Sequence, residues 1–241
     1  MKKILITGGA GRLGKWLKKE FPQALTPSHT VLDIINKNIV EKYIADQKPD
    51  IIIHLAAWVD VRGCENDKKM AWKTNVIGTE NIVEAVIKNC PNCYFVYPSS
   101  ACVFRGDKGD YTEEDIPYPI NFYGLTKLIS EFIVKKLKNY LIIRTDFVDR
   151  GKWRYEGAFV DRFSTSVFAD TLTKGIKKII DEHVTGLIHL TGKKKISHYE
   201  LAKITTKDVK PIKLADANLP LPRDQSLKSV RGGDFLELEC S

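Results

Sequence analysis

The first fourteen residues constrain the fold more than any other stretch. Ile4-Leu5-Ile6, flanked by Lys3 and Thr7, is a buried-type strand that stops at Gly8-Gly9-Ala10-Gly11. Over residues 12–21 apolar side chains then recur at helical spacing. A strand, a glycine turn and a helix, in that order, open an α/β layer structure. Gly8, Gly11 and Gly14 stand three apart, in the pattern GxxGxxG. Glycine permits the tight turn and lets backbone approach a pyrophosphate. The new helix aims its unsatisfied N–H groups and the positive end of its dipole at the same place. A plain glycine turn in another α/β protein is the alternative, but the strand–turn–helix context at the amino terminus favours a dinucleotide cradle.

The same alternation continues along the chain. Buried-type strands are expected over residues 50–55, 93–97 and 140–144, with a weaker one at 24–26, and helices over 38–47, 70–88 and 122–137. Five such βα-like units predict an α/β fold with a Rossmann-type, doubly wound parallel sheet. After about residue 150 the rhythm weakens to a helix over 168–180, a strand over 186–190, a short helix over 197–204, and a tail beyond Lys210 without a period. Neither an internal repeat nor a low-complexity linker interrupts the chain. The expected organisation is a dinucleotide-binding domain over residues 1–150 and a small C-terminal substrate lobe, reduced in size, over 151–241, packed as a single compact unit.

Composition narrows the function classes. With 43% hydrophobic and 28% charged residues in 241, the chain is of ordinary globular type, and no apolar run approaches a membrane span. The Met1-Lys2-Lys3 start mimics a signal peptide, but its apolar run ends at Thr7 without a cleavage site, so a cytoplasmic location is expected. The net charge of +8 comes from scattered lysines rather than a basic block interleaved with aromatics. No nucleic-acid or membrane partner is expected, and the charge suits attraction of a phosphate-bearing cofactor or nucleotide-sugar. Five cysteines, an odd number, do not suggest a disulfide framework. Cys90 and Cys93 form a CxxC, but no second CxxC or cysteine–histidine cluster completes a zinc site, and no metal is expected. Pro91 and Asn92 between them make a turn before a strand the preferred reading.

A second constellation is Tyr123-Gly124-Leu125-Thr126-Lys127, with Ser99-Ser100 upstream. Tyr123 and Lys127 are four apart and share one face of a helix. A free phenol titrates near about 10, too high for an efficient proton carrier at neutral pH. A lysine cation one turn away, with an oxidised nicotinamide, would favour the phenolate and lower that value. Tyr123 could then exchange a proton with a substrate oxygen while hydride passes to or from the adjacent carbon. An exposed helix pair is the bland alternative. The glycine turn upstream and the Ser-Ser strand end between them favour catalysis.

Together these segments resemble the extended short-chain dehydrogenase/reductase family. Thr7-Gly8-Gly9-Ala10-Gly11-Arg12-Leu13-Gly14 is similar to its cofactor loop, Leu32-Asp33-Ile34 to its adenine-contacting Asp, and His54-Leu55-Ala56-Ala57 to the strand end under the cofactor. Asn75 resembles its structural asparagine. Within that family the chain is most similar to the dTDP-4-dehydrorhamnose reductases, through residues 48–53, 99–106, 111–115, 121–127, Arg144-Thr145 and 222–227. The resemblance implies NAD(P)H-dependent reduction of a keto group on a nucleotide-linked deoxysugar. Ser100, Tyr123 and Lys127 would be catalytic. Gly8, Gly11, Arg12, Leu13, Gly14, Asp33, Ile34, Leu55, Ala56, Ala57, Asn75 and Ser99 would seat the cofactor together with Tyr123 and Lys127, and Lys127 would also grip the nicotinamide ribose. Cys102, Val103 and Trp153 are the candidates for the sugar side.

Two departures stand out. Ala101-Cys102 replaces the Asp-Tyr usual in that family, and the chain is shorter than usual between Phe159 and Asp170. The missing acid and base argue against a 4,6-dehydratase. Cys102, two positions after Ser100, matches the spacing of the epimerase-reductase that makes GDP-fucose. That chemistry also wants a histidine from the substrate lobe, and His183, His189 and His198 are expected to lie beyond the pocket in core or surface roles. A nucleotide-sugar epimerase is therefore an alternative, with Cys102 preferred as a packing or pocket-lining residue. A non-catalytic NAD(P)-binding regulatory subunit is another, because the regulatory subunit of methionine adenosyltransferase resembles the same reductases. Thr26-Pro27-Ser28-His29 carries neither the acid that favours NAD nor the arginine that favours NADP. Arg12 could approach a 2′-phosphate and tips the expectation to NADP. Trp58 is expected near the pocket and Trp72 in the core. A homodimer is one assembly this reading allows.

Overall fold

The structure, a computed structural model, describes residues 2–231 together with Glu237–Leu238, so Cys240 lies outside the described residues. At its centre Ile4–Thr7, Ile51–His54, Tyr94–Pro98, Tyr140–Arg144 and Gly186–His189 form a parallel sheet in that spatial order. Period-two alternation decides which side chain serves which face. Ile6, Ile53 and Val96 meet Leu13 and Leu17 of the Arg12–Glu20 helix and Leu172 and Ile176 of the Ala169–Asp181 helix. Leu5, Ile52 and Phe95 meet Val40 and Ile44 of the Lys37–Gln47 helix, Ile82 and Val86 of Gly78–Asn89, and Val134 of Phe122–Val134. Covered on both faces, the strands carry near-continuous apolar runs. The α/β, doubly wound arrangement expected from the sequence is the one observed.

Three details differ from expectation. The weak strand at 24–26 shrinks to one parallel bridge between Leu5 and Leu25, since Pro27 offers no N–H with which to extend the ladder. The helix expected over 70–88 is split into Lys68–Trp72, a π-helical turn at Lys73–Ile77 and Gly78–Asn89. There the Asn75 carbonyl accepts the hydroxyls of Thr79 (2.6 Å) and Ser130 (2.9 Å), which compete with the regular helical ladder. The aperiodic tail contains a strand, Lys210–Ile212, paired with Gly157–Phe159 and too short to show a period.

Beyond Arg144 the chain is built from pieces. Phe147–Val148 pairs with Val167–Phe168, Phe163–Ser164 with Ile196–Ser197, and Thr191–Gly192 with Glu237–Leu238. Among the described residues no helix is long and apolar enough to cross a membrane. Because the central strands are parallel, Thr7, His54, Pro98, Arg144 and His189 end along one edge, where open α/β sheets bind ligands.

Candidate active site

At that edge Gly8 has φ +70°, and a Cβ there would lie 2.7 Å from the Ala56 nitrogen and 2.9 Å from the Leu55 carbonyl carbon. Any other residue would force the two strand-end loops apart. A Cβ on Gly14 would stand 2.5 Å from the Gly8 carbonyl oxygen. Gly11 caps the following helix with no side-chain hydrogen bond, and no acidic residue occupies the first turn. The leading N–H groups are thus left for an anion, and bare backbone borders them, an arrangement that fits a dinucleotide pyrophosphate. Arg12 is exposed, its guanidinium 5.8 Å from the Phe147 ring centroid. Leu13 and Ile34 correct the sequence reading, because both side chains are buried in the core and only their backbone can face a cofactor. Ile34 fills the space a Cβ on Gly78 would need, and Asp33 accepts the Ile35 N–H at 3.1 Å while remaining part-exposed.

A chain of hydrogen bonds ties the cradle to the long helix. The Leu55 and Ala56 N–H groups donate to Thr7 Oγ1, at 3.2 Å each, and Thr7 Oγ1 lies 2.7 Å from His54 Nδ1. His54 Nε2 is 3.1 Å from Thr79 Oγ1, whose hydrogen goes to the Asn75 carbonyl. Thr79 must therefore accept from Nε2–H, which leaves Nδ1 to accept from Thr7 and makes the imidazole neutral. Burial, helped by the Lys127 charge, brings the His54 pKa down to about 3, in agreement with that state. Thr7, His54 and Thr79 were not singled out from sequence, and only the order of strand ends hinted at them. Asn75 was expected among cofactor contacts. Instead its side chain accepts the Trp58 N–H at 2.7 Å and donates to the Trp58 carbonyl (3.0 Å) and Thr126 Oγ1 (2.9 Å). It pins the loop after His54 to the helix that carries Tyr123.

That helix, Phe122–Val134, starts at Asn121, whose Oδ1 accepts the Gly124 N–H at 2.8 Å. A Cβ on Gly124 would lie 2.2 Å from the Cys102 carbonyl oxygen. The helix can press onto the Ala101–Val103 turn only because residue 124 has no side chain, and this brings the Tyr123 phenol into hydrogen-bond reach of Ser100. Ser100 Oγ also accepts the Cys102 N–H at 3.1 Å. One turn on, Lys127 donates to the Pro98 carbonyl at 2.9 Å, its Nζ 4.0 Å from the Tyr97 ring centroid. Burial lowers the Lys127 pKa to about 7, with Glu131 opposing. Burial, and then the neighbouring Cys102, push the Tyr123 phenol up. This corrects the expectation that Lys127 lowers it, because without a dinucleotide desolvation outweighs the ammonium.

Glu131 continues the same helix face. It accepts Ser99 Oγ at 2.6 Å and pairs with Arg144 through Nε (3.0 Å) and Nη2 (2.8 Å), both side chains almost fully buried. Ser99 therefore spends its hydroxyl on Glu131 rather than facing a cofactor. Of the sugar-side candidates, Val103 is wholly buried with Phe104, Tyr111 and Leu227 and lines nothing. Trp153 packs with Ala158 and Val209 in a small core of its own and donates from Nε1 to the Gly157 carbonyl at 3.1 Å. Cys102 stays beside Ser100 and gives its S–H to Gln225 Oε1 at 3.5 Å.

The residues beyond Arg144 add a buried polar cluster that sequence reasoning missed. Arg162 donates to the Pro222 carbonyl (3.1 Å) and to Gln225 Oε1 (3.0 Å), and its Nη1 lies 3.5 Å from His198 Nδ1. Asp146 accepts Ser164 Oγ at 2.6 Å and also Ser166 Oγ, and its charge is felt at both Tyr123 and His198. His198, expected beyond the pocket, therefore stands in this cluster next to Cys102, held neutral by burial and by Arg162. His189 and His183 do keep to core and surface roles. The first donates from Nδ1 to the Tyr111 and Lys228 carbonyls, and the second packs on Tyr94.

Comparison with known proteins places this geometry. The RmlD substrate binding domain model matches residues 1–167. The chain belongs to this family. Relatives of the RmlD type include dTDP-4-dehydrorhamnose reductase from Aggregatibacter actinomycetemcomitans, 28% identical over 229 residues, covering 84% of this chain and 77% of the relative. Methionine adenosyltransferase 2 subunit beta from Xenopus laevis is 28% identical over 237 residues, covering 83% and 70%. The crystal structure of dTDP-4-dehydrorhamnose reductase from Bacillus anthracis in complex with NADP superposes with a TM-score of 0.89 at 26% identity, covering 99% of this chain and 95% of that one. The likeness to RmlD-type structures thus runs well past residue 167.

Proposed function

We propose that this chain reduces a keto group on a nucleotide-linked deoxysugar, dTDP-4-dehydrorhamnose being the representative substrate, with NADP, or NAD in its place, as cofactor. The observation that carries the reading is the seating of Gly124 on the Cys102 carbonyl, which keeps the Tyr123 phenol beside Ser100 at the edge that holds the glycine cradle. Gly8, Gly11 and Gly14 would receive the pyrophosphate, above Leu55, Ala56 and Ala57. The reduced nicotinamide, when bound, supplies hydride to the carbonyl carbon. Ser100 orients the carbonyl oxygen by hydrogen bonding. Tyr123 delivers its proton as that oxygen gains charge, and burial keeps the proton on the phenol until then. Lys127 supports the phenolate that remains and can turn from the Pro98 carbonyl to a ribose hydroxyl. Epimerisation has less behind it, since burial pushes the Cys102 thiol up and its S–H is given to Gln225.

The likeness to methionine adenosyltransferase 2 subunit beta supports a second reading, a dinucleotide-binding partner subunit without turnover. NADPH consumption with a panel of nucleotide 4-keto sugars separates the two. The wild type should turn over, and Tyr123→Phe should lose about 10²–10⁴-fold in kcat with dinucleotide affinity kept. Tight dinucleotide binding with no turnover by either protein would sink the reductase and leave the partner subunit.

A further inference from the structure

The opposite edge of the sheet, where the strands begin, carries a cleft of about 320 Å³ whose lining includes Lys2, Lys48, Cys90, Cys93, Asn139 and His183. The reductase chemistry uses none of these residues. Cys90 ends the Gly78–Asn89 helix, its N–H bonded to the Val86 carbonyl at 2.9 Å. Pro91 and Asn92 then turn the chain so that the Cys93 N–H reaches the Cys90 carbonyl at 2.9 Å. This is a four-residue turn with proline at its second position, and it brings the first and fourth residues close together. Cys90 is half-buried and faces the cleft, whereas Cys93 is 4% exposed and roots the turn in the core. Among the described residues the other two cysteines, Cys64 and Cys102, are buried.

We propose that Cys90 and Cys93 form a thiol–disulfide exchange site that takes small anionic disulfides from solvent. Cys90 attacks one sulfur of the incoming disulfide. A Cys90–S–S–R bond forms, the original S–S bond breaks, and the released thiolate takes up a proton. Cys93 then gives up its proton and attacks the Cys90 sulfur, so that the Cys90–Cys93 bond forms and the second thiol leaves. One disulfide is reduced to two thiols and the protein dithiol is oxidised to a disulfide, reversibly. The order of attack follows from the pair's own asymmetry. The Cys93 S–H donates to the Cys90 sulfur, which holds Cys90 below the ordinary thiol range and drives Cys93 up. Lys2 and Lys48 on the rim favour a negatively charged disulfide.

The test uses the full chain carrying Cys240→Ser, equilibrated at graded ratios of reduced to oxidised glutathione, acid-quenched, alkylated and mapped by peptide mass. The Cys90–Cys93 peptide should lose two hydrogens reversibly as the ratio becomes oxidising. Cys93→Ser should stall with glutathione on Cys90, about tenfold above the parent, and Cys90→Ser should give neither product. Oxidation by glutathione should also outpace that by uncharged hydroxyethyl disulfide, and by less at high salt. The site is overturned if Cys90 remains alkylatable at every ratio, if glutathione stays on Cys90 with Cys93 intact, or if Cys64 or Cys102 reacts first. Equal rates with the uncharged disulfide overturn the anionic preference.

Discussion

The five-stranded sheet and the segment after Arg144 are both well buried, but different forces hold them. In the sheet, Leu5, Ile6, Ile52, Ile53, Phe95 and Val96 are fully buried apolar side chains covered by helices on both faces. After Arg144 the buried set includes Thr145, Arg162, Ser164, Thr165, Ser166, Gln225 and Ser226, on strands of two or three residues. Apolar burial is additive and forgiving of small volume changes, whereas a buried polar network depends on every partner being present. The first region should therefore tolerate conservative substitution, and the second should fail sharply.

That contrast can be broken by unfolding measurements in urea. Arg144→Met, at the seam between the regions, leaves Glu131 charged and unpaired and should destabilise by about 3–5 kcal/mol. A loss no larger than that of Ile53→Val, about 0.5–1.5 kcal/mol, would end the distinction. Lys127 gives a pH signature. Its folded-state pKa is brought down to about 7 from an ordinary 10.5, so between those values the unfolded chain binds the extra proton. Stability of the wild type should rise with pH across that window by up to about 1.4 kcal/mol per unit, and the full penalty applies below it. Lys127→Met should flatten the slope, and an unchanged slope would remove Lys127 as its source. Arg162→Leu strands Gln225 and the Pro222 carbonyl and should lose about 2 kcal/mol. Trp153→Phe, which removes only the Nε1 bond to Gly157, should lose about 1 kcal/mol and leave turnover unchanged.

The same contrast explains what the sequence disclosed. Tyr140–Arg144 was read at its observed bounds, and the Arg12–Glu20 and Lys37–Gln47 helices to within a residue at either end, because their apolar spacing is a local signal. The pairing of Tyr123 with Ser100 was legible from helical spacing and chain order, although its tightness depends on Gly124, whose contact partner lies on another element. Arg162, Asp146 and His198 were not legible. They meet through strands too short to have a period, and a buried arginine looks like a surface one until its acceptors, Pro222 and Gln225, are known. The phenol was misjudged for a related reason, since desolvation depends on the whole surroundings and not on the lysine four residues away.

The π-helical turn at Lys73–Ile77 also sets the angular phase of the Gly78–Asn89 helix that grows out of it. A regular helix advances about 100° per residue, so one residue removed within that turn would rotate the Gly78–Asn89 segment by about that angle. Ile82, Val83 and Val86 would swing off the sheet, and Glu84 and Lys88 would be carried toward it. Shortening by one residue there should be far more damaging than most point substitutions in the same segment, which makes the length of this stretch, as much as its composition, something the fold must preserve.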